Sequence, residues 1–271
     1  MLIEEIKLNV PYEKLNLDTP KKEVIFTGYI IQNSEQYSKD RKRPALIICP
    51  GGGYAFTSDR EATPVALEFL AKGFSCFVLR YSTNPSRFPV SLLELATAVK
   101  MVRENAENWD IEVDKIAVCG FSAGGHLAAS LGVFWNHPIL SPVRKSEEQF
   151  KPNALILCYP VITAGEKSHK SSFVNLLGRN RLAQKESLSL EKHVTDKLPP
   201  TFLWHTYTDP GVPVENSLLF ANAAVASKVP IEMHIYPKGG HGLSIANELV
   251  NTPVHNVGTW IEFATEFIKN L

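Results

Sequence analysis

The chain has 271 residues, 44% hydrophobic and 10% aromatic, enough to bury a large core, and one α/β domain over residues 1–271 is expected rather than two. Its 28 basic and 28 acidic residues balance, so no basic stripe points to nucleic acid and no block of like charge points to a membrane surface. No segment has the uninterrupted apolar length of a membrane span, and acid among the apolar residues 1–7 is unlike a signal peptide, so a cytoplasmic protein is expected.

Strand-like and helical patterns alternate from end to end. Residues 24–31 read as an antiparallel edge hairpin. Residues 44–49 form a short apolar strand, after which Ala62, Val65, Ala66, Phe69 and Leu70 recur at helical spacing up to the stop signal Gly73. Residues 74–79 are the next strand, and residues 90–106 a helix with Leu95, Val99 and Val102 on one stripe. An apolar run from Lys115 ends in Gly120-Phe121-Ser122-Ala123-Gly124 and restarts as an alanine-rich helix. Strands follow at 154–158, 201–204 and 231–236, the last two separated by an alanine-rich helix near 214–227.

Near-continuous apolar strands alternating with helices require a mostly parallel central sheet with helices on both faces. In such sheets the reactive groups gather beyond the carboxyl ends of the strands. Residues 136–153 and 161–200 break the rhythm. The second stretch is polar, and a small, partly helical cap insertion over the site fits it better than a structureless loop. Cys49, Cys76, Cys119 and Cys158 each lie in or at the end of a buried strand, with no Cys-x-x-Cys and no His-rich ligand spacing. Reduced core thiols are expected, with no metal and no cofactor.

Gly-x-Ser-x-Gly arises by chance in roughly one chain in ten of this length, so its setting between a strand and a helix carries the argument. A serine at such a turn stands above the sheet and becomes an accessible nucleophile. It needs a base within hydrogen-bond reach, itself oriented by a buried acid, and in this scaffold the chain order is Ser, then Asp or Glu, then His. The strand at 201–204 runs into a loop presenting Asp209, and the strand at 231–236 into a glycine-flanked loop presenting His241. Alone, Asp209 reads as a capping carboxylate and His241 as an ordinary loop histidine. Their order and strand-end placement beside Ser122 make a triad. Asp110 and Asp114, placed before the serine strand, and Asp196, in the insertion, fit worse.

Acyl transfer also needs donors aimed at the developing oxyanion. Pro50-Gly51-Gly52-Gly53-Tyr54 supplies backbone N–H groups free of side-chain obstruction, and no Gly-Lys-Ser/Thr follows to make it a phosphate loop. The expected oxyanion hole is an N–H of Gly52 or Gly53 plus that of Ala123. Tyr54 is the aromatic expected to meet substrate. His126 reads as a packed structural histidine, and Asp59, Arg60 and Glu61 as a cap and salt-bridge group before the next helix.

Cys49-Pro50-Gly51-Gly52-Gly53-Tyr54, Ser58-Asp59-Arg60-Glu61, Gly120-Phe121-Ser122-Ala123-Gly124-Gly125-His126-Leu127, Asp209-Pro210-Gly211-Val212-Pro213-Val214 and Gly240-His241-Gly242 together resemble the α/β-hydrolase superfamily. More narrowly they resemble bacterial esterases of the acetylxylan-esterase-like group, some of which carry a misleading xylanase label. The resemblance covers most of the chain, residues 20–270. It implies the α/β-hydrolase fold and a serine carboxylesterase taking small acyl esters, acetyl groups on sugars or xylo-oligosaccharides, with Ser122, His241 and Asp209 as its triad. The implied partner is a small-molecule ester, an acetylated sugar, and a homo-oligomer is left open. The glycine loop begins Cys-Pro-Gly-Gly-Gly where hormone-sensitive-lipase-like enzymes have His-Gly-Gly-Gly, a departure that weakens the match to that subgroup and leaves the oxyanion-hole argument intact. A small peptidase or arylformamidase on the same fold is the alternative enzyme, and a non-catalytic ligand-binding relative the alternative of another class.

Overall fold

Eight strands form one sheet in a computed structural model that describes residues 1–36, 39–146, 148–254 and 256–271. They are β1 (Leu2–Glu5), β2 (Ile25–Ile30), β3 (Arg43–Cys49), β4 (Ser75–Arg80), β5 (Ile111–Phe121), β6 (Ala154–Cys158), β7 (Thr201–Thr206) and β8 (Ile231–Tyr236), in the order β1-β2-β4-β3-β5-β6-β7-β8. From β4 to β8 every neighbouring pair is parallel, while β2 is antiparallel to both β1 and β4. The helices are α1 (Thr63–Ala71), α2 (Val90–Glu104), α3 (Ala123–Phe134), α4 (Lys170–Leu177), α5 (Glu215–Ala226) and α6 (Trp260–Lys269). None of them is long and apolar enough to cross a membrane.

The strand sequences explain the layering. Every residue of β3, β6 and β7 is buried, so these strands are apolar on both faces rather than alternating. Ala45, Ile47, Val118, Leu155, Leu157 and Leu203 point into one core with residues of α2 and α3. Leu46, Ile48, Cys119, Ile156, Phe202 and Trp204 point into the other with residues of α1 and α6. All four cysteines are buried free thiols, and those of Cys119 and Cys158 meet at 3.9 Å.

Two local expectations change. β2 is antiparallel as expected, but its outer partner is the N-terminal β1, with Leu2 opposite Ile30 and Glu5 opposite Thr27. β1 is mostly exposed, and a short edge strand of that kind needs no apolar alternation. β5 begins at Ile111 rather than Lys115, which places Asp114 inside the strand.

Residues 161–200 contain α4 and two 3₁₀ segments, Arg179–Leu188 and Leu190–Lys192. One side chain ties the base of this stretch to α5. Asn216 accepts from the N–H groups of Ile162 (2.9 Å) and Thr163 (3.0 Å) and donates to the carbonyls of Lys167 (3.0 Å) and Pro213 (3.0 Å).

Candidate active site

Ser122 sits between β5 and α3 with φ 53° and ψ −116°, a conformation that costs on the order of 1–3 kcal/mol and persists only where the surroundings over-determine it. They do so here through β6. The Ser122 N–H donates to the Cys158 carbonyl (3.0 Å), and the Val161 N–H donates to the Ser122 carbonyl (3.0 Å). The flanking glycines are steric requirements. A Cβ on Gly120 would lie 2.2 Å from the Gly124 oxygen, and one on Gly124 would lie 2.1 Å from the Cys49 oxygen.

The structure brings Ser122, His241 and Asp209 together. Ser122 Oγ is 2.7 Å from His241 Nε2, and His241 Nδ1 is 2.8 Å from Asp209 Oδ2. Asp209 lies in the loop after β7 and His241 in the loop after β8, so the three residues come from the carboxyl ends of different parallel strands. The His241 ring packs on Gly211, where a Cβ would come within 3.0 Å of Cγ, and against the edge of Tyr159 at 5.1 Å.

Asp209 is held on every side. Its Oδ1 accepts from the N–H groups of Gly211 (2.8 Å) and Val212 (2.9 Å). Its Oδ2 is shared by His241 and by His205 Nε2 at 3.3 Å. Burial alone would raise this carboxyl, but the hydrogen bonds of His205 and His241, the His241 charge and the Val212 N–H outweigh it and hold it well below the usual carboxylate range. His205 is itself fully buried, with Nε2 2.9 Å from the Val212 carbonyl and Nδ1 2.7 Å from Ser217 Oγ.

The glycine loop after β3 passes directly against the serine, since a Cβ on Gly51 would lie 3.0 Å from Ser122 Cβ. Gly52 and Gly53 have φ of 125° and 62°, the left-handed region open to glycine. Among the described residues the N–H groups of Gly52, Gly53 and Ala123 have no backbone or side-chain acceptor. The Gly51 N–H is engaged, donating to Glu61 Oε2 at 2.8 Å. Glu61 Oε1 accepts from the Tyr159 hydroxyl (2.6 Å), whose oxygen accepts from the Ser244 N–H (2.9 Å). Burial raises the Glu61 carboxyl, opposed by the Tyr159 and Gly51 hydrogen bonds and the His241 charge.

Two readings of this region need correction. Tyr54 cannot offer its ring to substrate: it is 2% exposed, and its hydroxyl is 2.9 Å from His126 Nδ1. The exposed aromatic on the loop is Phe56, 60% accessible. Glu61 is a buried support of the glycine loop, whereas its neighbour Asp59 does pair with Arg80, at 2.6 Å. His126 is packed between Tyr54 and the Leu188 carbonyl, and burial lowers it to about 4. Tyr159 and His205 lie outside the sequence reading, which gives Glu61 a different role. For Tyr159 and His205 the available signal is a polar side chain inside an otherwise apolar buried segment, which must find partners, whereas Glu61 follows exposed Asp59 and Arg60 and carries no such signal. Among the described residues no group of three or more His, Cys, Asp or Glu side chains could hold a metal ion.

The BD-FAE family matches residues 29–224. Endo-1,4-beta-xylanase B of Butyrivibrio fibrisolvens is 38% identical over 217 residues, which cover 78% of this chain and 34% of that protein. The acetylxylan esterase of Xylanibacter ruminicola is 27% identical over 237 residues, 84% of this chain and 44% of that one. The chain therefore spans less than half the length of either relative. Among solved structures, the acetyl ester-xyloside bifunctional hydrolase from Caldicellulosiruptor lactoaceticus superposes with a TM-score of 0.83 at 34% identity, covering 98% of this chain and 96% of that one.

Proposed function

The chain belongs to the BD-FAE family of α/β hydrolases, and we propose that it is a serine carboxylesterase removing small acyl groups, acetyl foremost, from sugars or short xylo-oligosaccharides. The observation that carries the reading is the unbroken hydrogen-bonded chain from Ser122 Oγ through His241 to the buried Asp209. Ser122 Oγ attacks the ester carbonyl carbon as His241 Nε2 takes its proton, and the carbonyl electron pair moves onto oxygen. The N–H of Gly52 or Gly53 and that of Ala123 receive the oxyanion. The C–O bond to the alcohol then breaks, and His241 returns the proton to the leaving oxygen. Water attacks the acyl-enzyme with His241 again as base, releasing the carboxylic acid and restoring Ser122. Asp209 keeps the imidazole in the tautomer with Nε2 toward serine and stabilises the imidazolium.

The sugar side is supported by the names of the acetylxylan esterase and the acetyl ester-xyloside hydrolase, and by the charge and hydroxyls of residues 165–193. The test is covalent labelling. An organophosphonate should add one adduct, on Ser122, in step with loss of 4-nitrophenyl acetate hydrolysis, and Ser122→Ala should neither label nor turn over. Labelling at another residue, or activity retained by the folded variant, would overturn the serine mechanism. Running peptide and formamide substrates beside the esters separates the esterase from a peptidase or arylformamidase.

A further inference from the structure

The segment carrying α4 is seated on the glycine loop. A Cβ on Gly53 would stand 3.8 Å from both His169 Cε1 and Ser172 Oγ. Asn175 donates to the Gly53 carbonyl at 2.9 Å. His169 is thereby placed over the loop that packs against Ser122, and the mechanism above leaves it unused. Its Nδ1 pairs with Ser172 Oγ at 2.8 Å, which fixes the ring. The hydroxyl of exposed Ser171 stands near both ring nitrogens, 3.2 Å from Nε2 and 3.5 Å from Nδ1, and is the only hydrogen-bond partner of Nε2 among the described residues. Partial burial lowers the His169 imidazole, and the His241 charge lowers it further against the opposing pull of Asp209, so all three groups share one electrostatic neighbourhood.

We propose that His169 determines specificity for the alcohol side of the substrate, its Nε2 pairing with a free hydroxyl beside the acetylated oxygen of a sugar. The inference rests on the esterase reading. A small acyl group such as acetyl brings no donor, so the hydroxyls of the substrate lie on its alcohol. A neutral imidazole whose Nδ1 faces a serine hydroxyl offers either a donor or an acceptor at Nε2, depending on tautomer. A sugar hydroxyl is both donor and acceptor and satisfies either state. An aryl alcohol or a fully acetylated sugar has no such hydroxyl.

The experiment compares the parent, His169→Phe and His169→Gln on 4-nitrophenyl acetate, a monoacetylated methyl xyloside and the fully acetylated methyl xyloside. Phenylalanine keeps the ring volume and removes both nitrogens, whereas glutamine returns an amide near Nε2. For the monoacetylated sugar, His169→Phe should raise KM by about three- to tenfold, the worth of one neutral hydrogen bond, with kcat little changed. The aryl ester and the fully acetylated sugar should move less than about twofold, and His169→Gln should recover much of the loss. Equal effects on all three substrates, or none on any, would overturn the assignment. A parent that cleaves the aryl acetate but neither sugar would overturn it while leaving the esterase standing. A parent that cleaves no ester would overturn both.

Discussion

Asp209, the acid of the proposed triad, shows how far a carboxylate's behaviour is set by the groups packed around it. Its two oxygens receive two backbone N–H groups and two histidines, and one oxygen serves both imidazoles. Asp209→Asn should lower kcat by about three to four orders of magnitude with KM little changed, because the amide favours the wrong imidazole tautomer. Asp196→Asn should leave kcat alone, and a reversal of the two results would move the acid to another loop. His205→Leu removes one bond to Oδ2 and should lower kcat by about three- to tenfold. Steady-state kinetics on an aryl acetate would read this, and a KM effect without a kcat effect would contradict it. The depressed carboxyl also has a thermodynamic signature. A carboxyl whose folded value lies below its unfolded one adds stability that is complete above about pH 4 and drains away as pH falls toward the folded value. The melting-temperature gap between the parent and Asp209→Asn should therefore be wider near pH ~7 than near pH ~3. A gap that is constant, or wider in acid, would show that the carboxylate charge is not what these bonds stabilise.

At the level of elements, the glycine loop and the turn after β5 are held from beneath. Glu61 faces two donors, the Gly51 N–H and the Tyr159 hydroxyl, and accepts from both. Glu61→Gln offers one acceptor and one donor, which leaves a buried donor unmatched and should cost about 1–3 kcal/mol of stability by denaturant unfolding. A neutral result would mean that Tyr159 turns to another partner at no cost. The elements themselves were largely legible, because strands buried on both faces announce themselves as apolar runs, and β3, β6 and β7 do so. β1 was not, since an exposed edge strand has no pattern to keep. Ser122, Asp209 and His241 were legible because each stands at a strand end in a fixed chain order. Tyr54 was misread for a reason that sequence does not contain: the direction of a ring at φ 57° is decided by the Tyr81 and His126 rings that receive it in the core. Glu61 and His169 take their roles from Tyr159 and Gly53, brought to them from far along the chain, while His205 takes its role from the fold of the loop that returns Asp209 and Val212 to it.

Across the whole molecule, the loops after β3, β5, β7 and β8 converge on one end of the sheet, with residues 161–200 beside them. A site for long acyl chains would need an apolar trough, since each buried methylene contributes about 0.8 kcal/mol. The stretch from Gly165 to His193 instead carries Glu166, Lys167, Lys170, Arg179, Arg181, Glu191 and Lys192. Acetyl and propionyl aryl esters should give a higher kcat/KM than octanoyl and longer ones, and a maximum at eight carbons or above would overturn the small-acyl reading without disturbing the triad geometry.

Asn216 joins the base of that stretch, through Ile162, Thr163 and Lys167, to Pro213 at the head of α5, in the segment that follows Asp209. A single side chain satisfying all four backbone groups makes the two segments open as one cooperative unit rather than independently. In native-state hydrogen exchange the amides of Ile162 and Thr163 should then share one protection factor and one denaturant dependence with those of Gly211 and Val212. Asn216→Ala should split the two sets, with the upstream pair exchanging faster and the Asp209-bound pair keeping more of its protection.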